Sequence, residues 1–167
     1  TGNVTEIQCD LVLSAAGVTS NIENIGLETL GIKTEKDKVV VNQWYETNVA
    51  GVYAIGDITE GPALAHVASA EAIICVEKIA GHHPQPLDYG NIPSCTYCQP
   101  EVASVGMTEE QAKAAGFELK IGKFPFSASG KAKAAGHPEG FVKLIVDAKY
   151  GEILGAHMIG HGVTDMI

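Results

Sequence analysis

The longest helical signal in the chain spans residues 64–80 and is punctuated at both ends. Gly61-Pro62 precedes it, and Gly81 and then Pro84 stop it. Its apolar residues Val67, Ala70, Ile73, Ile74, Val76 and Ile79 cover well over half its circumference, the pattern of a helix packed on more than one side. Immediately upstream, residues 49–55 (VAGVYAI) read as a strand that ends at Gly56-Asp57, where a chain leaving a sheet needs a turn. Strand, turn and long helix in succession make this stretch α/β, and in open α/β sheets ligands sit at the carboxyl ends of strands.

The flanking segments fill out the architecture. Residues 7–16 (IQCDLVLSAA) contain the apolar run Leu11-Val12-Leu13 before small residues and Gly17, consistent with a buried strand. Residues 21–31 read as a loop with a helical turn, and Val39-Val40-Val41 as a strand behind the charged turn Glu35-Lys36-Asp37-Lys38. Residues 82–91 (HHPQPLDYGN) are rich in Pro and polar residues and read as a linker. A second unit follows. Thr108 and Gln111 form a capping box for a helix that Gly116 ends. Residues 119–126 read as a strand, 127–138 as a loop of small residues, and 141–147 as a strand. Tyr150-Gly151 is a hairpin turn from which 153–159 pairs back, and a last helix starts near Gly162.

Composition narrows the function classes. The chain has 167 residues, 46% apolar and 19% charged, which is globular rather than disordered. No apolar run approaches the ~18 residues of a membrane span. Eleven cations stand against 20 carboxylates, a net charge of -9, and all eleven are lysines. Nucleic acid needs a basic face and phosphate clamps usually need Arg, so neither partner is expected, nor is an anionic membrane. Four cysteines in a chain of this length make no disulfide framework and suit a reducing compartment. The first residues show neither Met nor a signal pattern and the last show no stop signal, so the chain is expected to be a piece of a larger protein.

Two short segments could carry chemistry. Asp57 is a carboxylate at a strand's carboxyl end after a glycine, suited to accepting hydrogen bonds from sugar hydroxyls; taken alone, such a pair is ordinarily a turn. Gly61-Pro62-Ala63-Leu64-Ala65-His66 opens the long helix, whose first amides and partial positive charge suit an anion or an electron-rich ring edge. A lone His66 is more often structural, and plain helix packing is the bland reading of Ala65. Cys95-x-x-Cys98 invites a zinc or redox reading. Zinc needs about four ligands, however, and a thioredoxin-like pair opens a helix, whereas this one lies in a Pro-flanked extended segment. No metal site is assigned. His82-His83 and Lys131/Lys133 read as surface, and His137, His157 and His161 have no partner at a dyad spacing.

Together the two segments resemble the flavoprotein disulfide reductases, through the pattern T-x6-[AIV]-x-G-D from Thr47 to Asp57 and the following Leu64-Ala65-His66. The resemblance covers essentially the whole chain. Residues 14–21 (SAAGVTSN) are similar to the family's GRxPN segment, with Val18 in place of the usual Arg and Ser20 in place of the usual Pro. Residues 92–106 (IPSCTYCQPEVASVG) resemble the segment that opens the family's dimerisation domain. The wording is nearest the branch that oxidises dihydrolipoamide; glutathione reductases, mercuric reductases, soluble transhydrogenases and a non-catalytic dimerisation module are the alternatives.

The resemblance implies a mixed α/β and α+β fold: the end of an NAD-binding domain (1–20), the C-terminal part of an FAD-binding domain (21–88) and a truncated α/β interface domain (89–167). It implies FAD and NAD as cofactors, with Asp57, Ala63, Leu64, Ala65 and His66 on the FAD side and Gly17 on the NAD side. It implies a homodimer through 89–167, docking to a 2-oxo acid dehydrogenase complex, and a cytoplasmic or mitochondrial-matrix location. GxGxxG and the family's CxxxxC are missing from the sequence. The isolated chain is therefore expected to be inactive, to hold FAD weakly or not at all, and to contain no catalytic residue.

Overall fold

A computed structural model of the chain describes residues 4–167. Thr1-Gly2-Asn3, read above as part of a cut end and of segment 1–20, lie outside the described residues. The chain divides into two compact units, Thr1–Pro86 and Leu87–Ile167.

In the first unit, residues 4–19 run without regular secondary structure, exposed and outside any sheet. The buried strand expected around Leu11-Val12-Leu13 is not there: these side chains are 87%, 77% and 87% exposed. A strand exists only where a neighbour takes its amides and carbonyls, and no described residue forms a ladder with this segment. Beyond it, Ile22, Ile32, Val39 and Ala54 form a small core, with Leu27, Val41, Val49, Val52 and Ile58 packed against it. The loop of 21–31 does contain a helical turn, with the Leu30 amide donating to Gly26 O at 3.2 Å. The hairpin β1 (Thr34–Glu35) and β2 (Lys38–Val39) turns at Lys36-Asp37, and its ladder stops at Val39 instead of running to Val41.

Residues 49–55 are likewise no regular strand. They hold a single antiparallel bridge, Glu46 to Tyr53. Thr47 is the reason: its hydroxyl donates to Val52 O (2.9 Å) and accepts from the Val49 amide (3.1 Å), closing a local turn that competes with a ladder.

Helix α1 (Ala65–Ile79) follows. It ends in a Schellman pair, with the His82 amide donating to Glu77 O and the Gly81 amide to Lys78 O. Only one stripe of α1 is buried, Val67, Glu71 and Cys75 at intervals of four, while Ile73, Val76 and Ile79 stay exposed. Packing on more than one side, expected from the sequence, is thus absent within this unit.

The second unit is an antiparallel five-stranded sheet in the order β3-β4-β7-β6-β5, formed by β3 (Ser94–Thr96), β4 (Glu101–Gly106), β5 (Leu119–Pro125), β6 (Phe141–Asp147) and β7 (Ile153–Gly160). Central β6 pairs on both sides and buries Ile145 completely. Asp147 shapes the β6–β7 turn by accepting the Lys149 and Tyr150 amides. Helix α2 (Glu109–Ala114) carries the expected capping box in full. Two expectations need correction. The loop of 127–138 contains a short helix, α3 (Gly130–Ala134), because Ser129 caps it and its Ala and Lys residues are good helix formers. The last helix is a single 3-10 turn, Val163–Asp165. Among the described residues, no helix is long and apolar enough to cross a membrane.

Candidate functional site

The site is built around one glycine. Gly56 has φ +71°, and a Cβ placed on it lies 3.2 Å from the Cβ of Ala68, so both backbone conformation and space ask for glycine. This lets the chain enter the 3-10 turn Gly56–Ile58 directly against α1. Thr59 closes the turn with two bonds to Gly56 O, from its amide (2.9 Å) and its hydroxyl (2.8 Å). The Gly56 amide donates 2.6 Å to the Oε2 of Glu71, a carboxylate only 2% exposed on the inner stripe of α1.

On the other side, the Asp57 carbonyl accepts the Lys38 ammonium (2.6 Å) and the Ser20 hydroxyl (2.8 Å). The Lys38 ammonium also donates to Ser20 Oγ (2.8 Å), and the Ser20 amide donates to Asp37 Oδ2 (2.7 Å). That amide is the main reason the Asp37 carboxyl sits below its ordinary value. The Asp57 carboxylate itself is exposed, and no described residue hydrogen-bonds it.

Ala68 lies less than one turn from the start of α1, so the Asp57 turn stands beside that helix terminus. Leu64 provides no side-chain cap. Its own amide is engaged with Pro62 O (2.9 Å), which removes it from the expected set of outward donors. The amides of Val67 and Ala68 both turn back to Leu64 O. Those of Ala65 and His66 are left as the orphan donors of the helix, with its partial positive charge behind them. Ala63 and His66 are exposed around this terminus. The structure therefore brings Asp57, Ala65 and His66 into one neighbourhood. Gly17 (φ +100°) lies on the 4–19 segment three residues before Ser20.

The sequence reading passed over Glu71 and Lys38 and saw Ser20 only as a departure from a pattern. Glu71 left a signal, a carboxylate at helical spacing between buried Val67 and Cys75. Lys38 left none, because a lysine in a charged turn looks like surface. The remaining candidates stand elsewhere. Burial raises the Cys75 thiol. Cys95 lies on edge strand β3, whereas Cys98 lies in the bend that follows it and its exposed thiol donates to Pro100 O (3.1 Å); the pair opens no helix. His137 stacks on His161 at 4.1 Å and approaches Glu139 (3.6 Å), a neighbour the sequence spacing did not suggest.

Comparison with known proteins decides the family. A family model described as pyridine nucleotide-disulphide oxidoreductase matches residues 1–72, and the dimerisation domain of the same family matches residues 92–167. The chain belongs to the pyridine nucleotide-disulphide oxidoreductases. It is 53% identical to a dihydrolipoyl dehydrogenase of Rhizobium etli over 99% of this chain and 35% of the relative. It is 50% identical to one of Bacillus subtilis over 99% and 35%. Among solved structures it is similar to the HOCl-induced flavoprotein disulfide reductase RclA from Escherichia coli, with TM-score 0.82 and 27% identity over 91% of this chain and 35% of that one. It is also similar to LpdA from Mycobacterium tuberculosis, with TM-score 0.81 and 25% identity over 89% and 33%. The chain thus spans about a third of the length of the curated relatives it matches, and its mixed α/β fold is that of the disulfide reductases.

Proposed function

We propose that this chain is part of a longer dihydrolipoyl dehydrogenase, a flavoenzyme that carries electrons from a dihydrolipoyl dithiol to NAD. The single observation that carries the reading is the Asp57 turn standing against α1 beside an uncapped helix start. FAD, when bound, supplies the two-electron exchange between dithiol and nicotinamide.

The residues present fit that cofactor. The exposed Asp57 carboxylate accepts hydrogen bonds from hydroxyls on the sugar side. The Ala65 and His66 amides offer fixed donors and positive dipole where reduction of a flavin builds negative charge, at its pyrimidine edge. The side chains of Ala63 and Leu64 line the approach to those amides, and Gly17 gives a backbone without a side chain on the NAD side. Residues 1–20 then close an NAD-binding domain, 21–88 belong to the FAD-binding domain, and 89–167 to an interface domain through which two copies form a homodimer. Docking to a 2-oxo acid dehydrogenase complex, in the cytoplasm or the mitochondrial matrix, follows from the same reading. The separate 167-residue chain is inactive in this scheme.

The test is flavin retention in the longer protein. Asp57→Ala is expected to lose FAD on dialysis while the native enzyme stays yellow. Equal flavin content in the two after dialysis removes Asp57 from the site.

A further inference from the structure

The Asp57 turn is held from two sides, by a buried carboxylate and by two half-buried donors. Behind it, the buried Glu71 carboxylate takes the Gly56 amide. In front, the Asp57 carbonyl receives two donors, the Lys38 ammonium at 2.6 Å and the Ser20 hydroxyl at 2.8 Å. A carbonyl oxygen has two lone pairs, so this one is saturated. The peptide after Asp57 cannot rotate without breaking a bond to a charged donor, the stronger kind of hydrogen bond. With the Gly56 carbonyl held by the Thr59 amide and hydroxyl and the Asp57 carbonyl held by Lys38 and Ser20, the peptides on both sides of Asp57 are fixed, and with them the direction in which its side chain leaves the backbone.

The second half of the arrangement is Ser20. Its hydroxyl accepts from Lys38 (2.8 Å) while donating to Asp57, and its amide is tied to Asp37 (2.7 Å). A proline at this position could supply neither the hydroxyl nor the amide. Ser20 lies three residues after Gly17, so one residue joins the Gly17 segment to the Asp57 turn.

We propose that Lys38 and Ser20 are positioning residues for Asp57, aiming its carboxylate at the hydroxyls of the flavin cofactor, and that Ser20 tethers the Gly17 segment to the same turn. This rests on Asp57 as the flavin contact. Neither residue touches the cofactor in this scheme; both act through the Asp57 peptide.

The experiment titrates FAD into apoprotein of the longer enzyme and follows flavin fluorescence, with the melting temperature of each apoprotein measured alongside. Lys38→Met, which keeps the apolar stem and removes the donor, is expected to raise the FAD dissociation constant about tenfold, and Ser20→Ala about threefold, the scale of one or two lost hydrogen bonds. Ser20→Thr, which keeps the hydroxyl and the amide, is expected to bind like the native protein. In an Asp57→Ala background, Lys38→Met is expected to change FAD binding less than about twofold, because a positioning residue has nothing left to position.

Native-like binding by both Lys38→Met and Ser20→Ala overturns the proposal. So does an undiminished effect of Lys38→Met in the Asp57→Ala background, which marks a general loss of fold. Should Lys38→Met fail to fold, the Ser20→Ala and Ser20→Thr pair carries the test, and equal weakening by both overturns the proposal. If Asp57→Ala alone leaves FAD binding unchanged, the flavin assignment of the site falls first and this inference with it. If Asp57→Ala weakens binding and the Lys38 and Ser20 variants do not, only the inference falls.

Discussion

Residues 11–13 and residues 141–147 carry the same kind of message, apolar side chains with strand preference, yet only the second stretch is a strand. The difference lies in what surrounds them. β6 is flanked by β5 and β7, and the Asp147 turn brings β7 back within a few residues. Leu11-Val12-Leu13 meets no second strand, and its side chains lie open. Apolar patterning states a demand for burial; a hydrogen-bonded neighbour decides whether the demand is met. The same contrast runs through the units as wholes. The second builds its sheet from a β3–β4 hairpin and a β5–β6–β7 meander joined by the β4–β7 pair, while the first leaves both the 4–19 segment and the outer face of α1 uncovered.

Hydrogen exchange tests this contrast most directly. Amides of residues 7–13 are expected to exchange at close to the rate of free peptide, and those of central β6 slower by about three orders of magnitude or more, as for a core strand opened only by global unfolding. Comparable protection in the two segments, measured by mass spectrometry on the 167-residue chain, defeats the contrast. In the longer protein proposed above, 7–13 is expected to gain protection from strands that flank it there.

A pair of glycines separates backbone conformation from neighbourhood. Gly140 in the second unit and Gly26 in the first have similar φ, +100° and +89°. A Cβ on Gly140 falls 1.9 Å from Ile159 O, whereas one on Gly26 meets nothing within 4 Å. Gly140→Ala is therefore expected to cost about 3 kcal/mol or more, a conformational penalty plus a clash with rigid backbone, and Gly26→Ala only about 1–2 kcal/mol. Urea titrations of both variants read the difference. Equal costs show that the sheet end yields more easily than its ladder implies.

How far the sequence reveals this molecule follows the same divide. In the second unit β5, β6 and β7 are legible, because these partners are close in sequence and the turns carry their own signals, Thr108 with Gln111 in the capping box and Tyr150-Gly151 in the hairpin; β3 and β4 are not, since β4 pairs with β7 far along the chain. In the first unit, α1 is legible to within a residue at each end, since a helix satisfies its backbone alone. Of the three strands expected there, 39–41 survives only as the short β2, 49–55 fails because Thr47 offers the backbone a local alternative, and 7–16 fails because no described residue pairs with it. Of the candidate site, Asp57 and the helix start stand out through the resemblance of the two segments taken together; alone, Gly56-Asp57 reads as a turn. The groups that hold them could not. Lys38 and Ser20 reach a backbone carbonyl, and no residue pattern announces a main-chain acceptor.

Glu71 brings the comparison down to one buried group in the first unit. Removing its carboxylate strands the Gly56 amide, so Glu71→Ala is expected to cost about 1–3 kcal/mol, while Glu71→Gln, which keeps an acceptor, costs less. Trp44 is the single tryptophan and lies in this unit, where the Lys78 ammonium stands 5.1 Å over its ring, so fluorescence follows the first unit alone. A Glu71→Ala midpoint equal to the native one removes Glu71 as the support of the Asp57 turn.

Acid titration is expected to give the smallest effect, and it probes both units at once. In the second, hydrogen bonds from Lys113 and Lys143 hold the Glu109 carboxyl down to about 2 from an ordinary 4.5. Bonds from the Thr164 side chain and amide lower Glu101 as well. In the first unit Asp37 is lowered, chiefly by the Ser20 amide. A carboxyl whose folded pKa lies below its unfolded one stabilises fully above the unfolded value and loses that contribution as pH falls through the folded one. Stability is therefore expected to decline between about pH 4.5 and about pH 2, and Glu109→Gln to flatten the decline of the second unit without touching the Trp44 signal. These groups are solvent-screened, so the flattening is slight and shrinks further with added salt. A Trp44 transition that moves with Glu109→Gln shows instead that the two units unfold as one.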